Sequence, residues 1–592
     1  MIRNRAAGGI SPGKSPEGKG EKALLFYDFE VFAYDWLVVV MDMGAKKTHV
    51  IINSPGELEA LYNEKKGEIW CGFNSRHYDQ YILKGILCGL DPKKINDYII
   101  LKGKPGWKYA PTMFRAIPFL NYDVMLGTDR GLKSFEGFMG NNIKETSVPF
   151  DINRPLTDEE IQETVKYCRH DVEQTIQVFL RRKEEFQTML YFIKHFGLPI
   201  DFISKTKAQL AAEILGGNRR GEEFDDEFSF PILDCLRLEK YRYIADWYKE
   251  PENHNYGKKQ EVTVAGVPHT YSWGGGHGAI LKYHASGIFL IMDVTAYYPS
   301  LQKQYHFGYR VMNHPENFEF IHDSNIAFKR KGDKKARQPF KIMDNAISGQ
   351  MKQRQSALFD PMSNNSICIN GQLLLLDLVE HIENRVELIQ NNTDGIIVKL
   401  SDYERDFDML DDLVYEWEKR TGMNMDFETF FGEIFQKDVN NYLLIDRETG
   451  ATKAKGGYVM KLNDLSYDLP IINRALIDYM IKGVSVERTV NECNDLREFQ
   501  LVSKISSKYT HILYGDRPIK EKCVRVFASN DPADPGVKKV HAVRKNAAKL
   551  TNSPAHCFIW NDEVKGVPVP DRLDKAWYIG VAKKRLADFG VI

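Results

Sequence analysis

The stretch Leu290–Leu301, LIMDVTAYYPSL, closes an apolar run with one carboxylate and follows it with two tyrosines and a proline. Ile288 to Met292 carry no polar side chain, which suits a strand buried on both faces. Pro299 cannot extend a hydrogen-bonded ladder, so a turn is expected near it. Asp293 then stands where strand gives way to turn, a place that suits a metal ligand. It is also, and more commonly, the place of a capping aspartate. Other segments must decide.

The chain of 592 residues is too long for one core and suggests roughly three to five domains or subdomains. No apolar run reaches membrane-span length; LLLLDLVEHI, from Leu373, is broken by charge too soon. Residues 1–22 lack the apolar core of a secretory signal and read as a disordered, Gly-, Pro-, Ser- and Lys-rich tail. Eight cysteines without a CxxC pair point to a reducing compartment and away from structural zinc. A net charge of −1 does not advertise a nucleic-acid binder, but an average hides local fields. FKRKGDKKARQPFK (Phe328–Lys341), VKKVHAVRKNAAK (Val537–Lys549) and AKKRLADFG (Ala582–Gly590) are basic, each as readily a solvated face as a binding patch.

There is no internal repeat. Ala23–Asp42 reads as two adjacent strands with a turn near Tyr34-Asp35. The segment after Thr157 reads as a helix. Thr157 with Glu160 makes a capping box, and Ile161, Val165, Val172, Ile176 and Phe179 keep an apolar stripe. SWGGGHGAI, from Ser272, clusters glycines that permit close backbone approach by a partner. A long helix is expected over roughly Ile367–Ile389, then the strand GIIVKL, and beyond about residue 455 a separate C-terminal subdomain.

Four carboxylates fall in a suggestive order. Asp28 and Glu30, two apart on a strand, share one face. Asp79 follows in NSRHYDQ, five residues after Asn74. Asp171 lies four residues after Tyr167 on the capped helix, so the two share a helix face. Such carboxylates can hold two divalent ions of hard character, magnesium or manganese, for phosphodiester chemistry. A short acidic motif alone is more often a solvated strand edge; the ordered set over about 150 residues is more specific. The set is similar to the three exonuclease motifs of proofreading DNA polymerases, whose fold is ribonuclease H-like. Members related to protein-primed phage enzymes often space the middle motif one residue tighter, which leaves His77 as a lesser contender.

DVTAYYPSL (Asp293–Leu301) then resembles motif A of family B DNA polymerases. KIMDNAISG (Lys341–Gly349) resembles motif B, with Ala346 and Ser348 as departures. NNTDGIIVKL resembles motif C, with Asn392 in place of its first acid and Asp394 kept. KDVNNYLLID resembles the Lys-x-Tyr motif, with Asn440 where the lysine would be and Tyr442 kept. The resemblance covers nearly all of the chain after the tail and is weakest over roughly 485–570.

The resemblance implies an α/β (multi-domain α+β) chain. A ribonuclease H-like exonuclease domain (23–200) precedes a linker (201–275) and a right-hand polymerase domain. That domain has palm (276–304 and 366–455), fingers (305–365) and thumb (456–592). It implies two magnesium ions per site, with manganese as a substitute. Asp293, the Val294 carbonyl and Asp394 would bind them in one site; Asp28, Glu30, Asp79 and Asp171 would bind them in the other, where Tyr167 orients the attacking water. Lys329, Arg337, Lys341 and Asn345 would meet the incoming triphosphate. Gly332 and Pro339 disfavour a single helix through the three cations. Tyr298 would bar a 2′-OH, Tyr297 would pack in the core, and Asn74, Gly275, Gly276 and Tyr442 would contact DNA. Partners are primer-template DNA, dNTPs and replication accessory proteins. The chain is expected to act as a monomer in the cytoplasm of an infected bacterium, extending a nucleic-acid primer, because the motifs leave little room for the insertions of protein-primed enzymes. Two rivals stand beside this reading: a catalytically weak DNA-binding paralogue, and an enzyme that is mainly an exonuclease.

Overall fold

The computed structural model describes residues 22–127, 130–219 and 224–591, so the tail lies outside them except for its last residue. The chain divides into two compact units, residues 1–125 with 148–175 and residues 126–147 with 176–592.

The first unit is built on a five-stranded sheet in the order β3-β2-β1-β4-β5. The strands are β1 (Leu24–Val31), β2 (Trp36–Asp42), β3 (Lys47–Ile52), β4 (Ile69–Gly72) and β5 (Asn121–Asp123). β2 runs antiparallel to both β1 and β3, while β4 and β5 run parallel to β1. The alternation of LLFYDFEV sends Leu25, Tyr27, Phe29 and Val31 into one apolar core. Asp28 and Glu30 are thereby left together on the opposite face. Helix α1 (Asp79–Leu87) follows β4. Helix α2 (Asp158–Arg181), whose residues through Thr175 belong to this unit, opens on the expected capping box. Glu160 accepts the Thr157 N–H at 2.9 Å, and Thr157 accepts the Glu160 N–H at 3.3 Å.

The second unit is organised by a nine-stranded sheet in the order β14-β13-β12-β9-β11-β10-β8-β7-β6. Its strands are β6 (Lys259–Val264), β7 (Val267–Ser272), β8 (Gly275–Ala279), β9 (Tyr283–Val294), β10 (Glu387–Asn391), β11 (Gly395–Leu400), β12 (Met425–Asp438), β13 (Asn441–Asp446) and β14 (Thr452–Lys455). β9 is the spine, antiparallel to β11 on one side and β12 on the other. Leu290, Met292 and Val294 enter one apolar core, and Phe289 and Ile291 enter another. This is why the run has no polar member.

Past Val294 the chain turns at Ala296, in the left-handed region at φ 45°, and enters helix α3 (Tyr297–Gln304). Pro299 thus lies in a first helical turn, where its missing N–H costs nothing, and the expected turn is confined to Thr295-Ala296. Helices α4 (Pro315–Arg330) and α5 (Lys334–Ser348) follow, separated at Gly332 (φ 67°). Gly332 breaks the helix as expected, whereas Pro339 is carried inside α5.

Helix α6 (Pro361–Ile382) is buried along most of its length. Its cap, Asp360, is fully buried, accepts the Ser363 N–H at 3.1 Å and is paired with Arg310 at 2.6 Å. The helix ends before Ile389, contrary to the expected Ile367–Ile389 span. Leu388 and Ile389 instead lie on β10, where pairing with β11 outweighs the helical pattern.

Among the described residues beyond 455 come three α-helices and two small antiparallel sheets, and the basic stretch Val537–Lys549 forms two strands of one of these. The core there includes Phe435, Leu443 and Ile445 of β12 and β13, so the expected C-terminal subdomain is packed continuously with the large sheet. Among the described residues no helix is long and apolar enough to cross a membrane, and the eight cysteines carry free thiols.

Candidate active sites

In the first unit, the carboxylates of Asp28 and Glu30 and the Cys168 thiol lie within 4.8 Å of one another. The thiol donates to the Asp28 carbonyl at 3.3 Å and lies 3.8 Å from its Oδ2. Burial first, then the charges of Asp28 and Glu30, hold Cys168 well above the usual thiol range; Asp171 adds to this. Tyr167 precedes this thiol on α2. His77 is exposed, and Asn74, also exposed, turns the chain at φ 62° before α1.

Asp79 meets β1 from the start of α1. It is the first residue of α1, 3 % exposed, and accepts the Phe29 N–H from β1 at 3.2 Å. Burial pushes its carboxyl up to about 7, with the charge of Asp123 adding to the shift. Asp123, unforeseen in the sequence, holds the turn before α1 by accepting the N–H groups of Asn74 at 2.8 Å, Arg76 at 3.1 Å and Met125 at 3.0 Å.

The second site lies at the ends of β9, β11 and β12. Asp293 faces Gly395 on one side and Asp426 on the other. The Val294 N–H donates to the Asp394 carbonyl at 2.8 Å, tying the two expected metal-binding segments together. A Cβ on Gly395 would lie 2.3 Å from Asp293 Oδ1, so glycine is required for this approach. Burial raises the Asp293 carboxyl above its ordinary range; Lys453 opposes the shift and Asp394 adds to it. Lys453 Nζ lies 3.0 Å from Asp293 Oδ2 and 2.8 Å from Glu428 Oε2. Burial works against the charge on Lys453, but Glu428 and Asp293 outweigh it and hold the ammonium above its usual value. Asp426, Glu428 and Lys453 were not anticipated. MDFETFF repeats the acid-x-acid pattern of FYDFEVF, which was the available signal. Lys453 left none.

The expected triphosphate residues are divided. Arg337, Lys341 and Asn345 follow one another at four-residue spacing on α5, with Lys341 and Asn345 exposed. Lys329 lies on α4 and pairs with Asp426, and it also donates to Thr295 Oγ1 at 3.1 Å. Arg337 Nε donates to Asn325 at 2.9 Å, and Asn325 donates to the buried Asp344 at 2.8 Å. His322 Nδ1 meets the same carboxylate at 3.0 Å, and its Nε2 lies 3.4 Å from Ser300 Oγ. Ser300 in turn donates to the Thr295 carbonyl at 2.8 Å. A run of polar contacts therefore joins Arg337 to the loop after Asp293.

No protein-family model matches the chain, and no curated protein does. Among solved structures it is similar to a family B DNA polymerase from the hyperthermophilic archaeon Pyrobaculum calidifontis, at 14% identity and a TM-score of 0.42. That alignment covers 98% of this chain and 79% of the archaeal one.

Tyr297 is core: it is 4 % exposed and its hydroxyl donates to the Gly371 carbonyl at 2.7 Å. Tyr298 is half-buried, with its hydroxyl 3.9 Å from the place a Gly275 Cβ would take. Gly276 has an internal reason, since its Cβ would lie 2.7 Å from the Tyr271 ring. Gly274 and Gly275 have no such conflict under 3.4 Å. Tyr442 is buried in the core with Ile291, Ile434 and Leu444. Burial pushes its hydroxyl up to about 12, with Lys453 pulling the other way.

Proposed function

We propose that the chain is a DNA-directed DNA polymerase with a 3′–5′ proofreading exonuclease. The observation that carries this reading is the register setting Asp293 against Gly395, with Asp394 beside it and Tyr298 following on α3. Asp293, raised by burial and by the neighbouring charge of Asp394, shares the strand ends with that second carboxylate, and such hard donors suit divalent cations. Magnesium, held by Asp293, Asp394 and the Val294 carbonyl, would supply the charge that steadies the attacking and leaving oxygens of nucleotidyl transfer. The protein's part is positioning. Arg337, Lys341 and Asn345 meet the triphosphate from α5, and Lys329 approaches from α4. Tyr298 lies under the sugar and excludes a 2′-OH by contact.

The exonuclease reading rests on Asp28 and Glu30, paired on one strand face, and on the sheet order β3-β2-β1-β4-β5, which suits a ribonuclease H-like domain over 23–200. Asp79 and Asp171 would complete the ligand set, and Tyr167 would orient the water. On this reading 276–304 and 366–455 form the palm, 305–365 the fingers and 456–592 the thumb. On this reading Gly275 and the hydroxyl end of Tyr442 contact DNA in the second unit, and Asn74 contacts it in the first. The partners are primer-template DNA, dNTPs and replication accessory proteins. The enzyme works as a monomer on nucleic-acid primers in a phage-infected bacterial cytoplasm.

One primer-extension gel tests this, run with and without dNTPs and magnesium. The expected result is extension with dNTPs and shortening without them, both requiring the metal. Shortening alone would make the chain an exonuclease; binding with neither reaction would make it a DNA-binding paralogue.

A further inference from the structure

We propose that Lys453 binds the phosphate backbone of the primer next to its reacting 3′ end, an inference that rests on the polymerase reading. Among the described residues, Lys453 is the only cationic side chain hydrogen-bonded to Asp293 or Asp394. It reaches Asp293 from β14, the edge strand of the sheet, and keeps a second anchor on Glu428. Lys437, near the end of β12, is paired with Asp438 at 2.9 Å. Lys329, the other lysine near these strand ends, pairs with Asp426.

An ammonium 3.0 Å from Asp293 Oδ2 cannot stay there once that oxygen serves a dication, because the two positive charges repel at short range. Glu428 holds the displaced ammonium at the rim of the site. The 3′-OH of the primer must come to the metal-binding carboxylates, and the 5′-phosphate of the same nucleotide is one sugar away. Lysine, a compact charge on a flexible stem, suits a phosphate approached this way. The triphosphate side is served by α5, whereas Lys453 enters from the edge that leads into the C-terminal segment. The primer backbone is therefore its partner.

The test is equilibrium binding of the full chain in magnesium to a labelled primer-template. The primer ends in a dideoxynucleotide on a phosphorothioate link, which neither extends nor degrades. Lys453→Ala should weaken binding about tenfold and reduce the slope of log K against log salt by about 0.9, the value of one lost phosphate contact. Lys453→Arg, which keeps the charge, should retain both. If Lys453→Ala is poorly folded, acetylation of the unsubstituted chain replaces it. Primer-template should slow modification of Lys453, and template strand alone should not. Unchanged affinity and slope in a folded Lys453→Ala, or protection by a dNTP but not by primer-template, overturns the proposal. An unsubstituted chain that binds but never extends primers overturns the polymerase reading instead.

Discussion

Replacing Asp79 with asparagine is expected to stabilise the metal-free chain, by an amount that grows with pH. The carboxyl is buried, accepts the Phe29 N–H at 3.2 Å and faces Asp123. Its pKa is pushed from 3.8 to about 7. An acid whose folded pKa is raised costs stability as pH climbs from the unfolded value to the folded one, and no more beyond it. Three units at about 1.36 kcal/mol each give roughly 4 kcal/mol at pH 8, against about 2 kcal/mol at pH 5. Asparagine stays neutral throughout, keeps an oxygen for the Phe29 N–H, and can donate to Asp123. The advantage of Asp79→Asn should therefore widen by roughly 2 kcal/mol between pH 5 and pH 8. Urea unfolding of both chains in EDTA at four pH values reads this directly. Magnesium should erase the widening, because a bound dication favours the carboxylate of the unsubstituted chain. A stability gap that is flat or shrinks with pH would refute the reasoning.

Asp293→Ala or Asp394→Ala should abolish primer extension while leaving shortening of single-stranded 3′ ends intact; near-normal extension in either would remove that residue from the site. Asp28→Ala combined with Glu30→Ala should do the reverse, and Tyr167→Phe should slow shortening more mildly. Tyr298→Val should raise the kcat/KM ratio for ribo- over deoxynucleotides in single-insertion kinetics; an unchanged ratio at retained activity would put the sugar filter elsewhere. Arg310→Ala should cost about 3–5 kcal/mol in urea unfolding, because it strips the fully buried Asp360 of its cation. A loss under about 1 kcal/mol would mean the pair contributes no more than a surface one.

The parts legible in the sequence were those set by periodicity over a single element. The double-sided burial of β9, the shared face of Asp28 and Glu30 and the capped start of α2 follow from spacing alone. α6 ends short of the expected span because Leu388 and Ile389 fit a helix as well as a strand, and only the distant β11 decides between them. Asp123 was invisible for a related reason: it serves the Asn74 turn from a strand far along the chain. Lys453 shows the limit most plainly. Nothing in TKAK marks one lysine as the neighbour of Asp293; the sheet brings it there.

The spine strand β9 carries a cost during synthesis. Its partners β11 and β12 begin at Gly395 and Met425, about 100 residues or more behind Val294. At roughly 5–20 residues per second the ribosome leaves Phe289–Met292 without either neighbour for several seconds or longer. A strand apolar on both faces with two open edges is then a template for pairing with other nascent chains. Yield on overexpression should be governed by this interval rather than by final stability. Ribosome-stalled chains ending before Gly395 should be cut readily by protease at β9, and those extending well past Asp438 should resist.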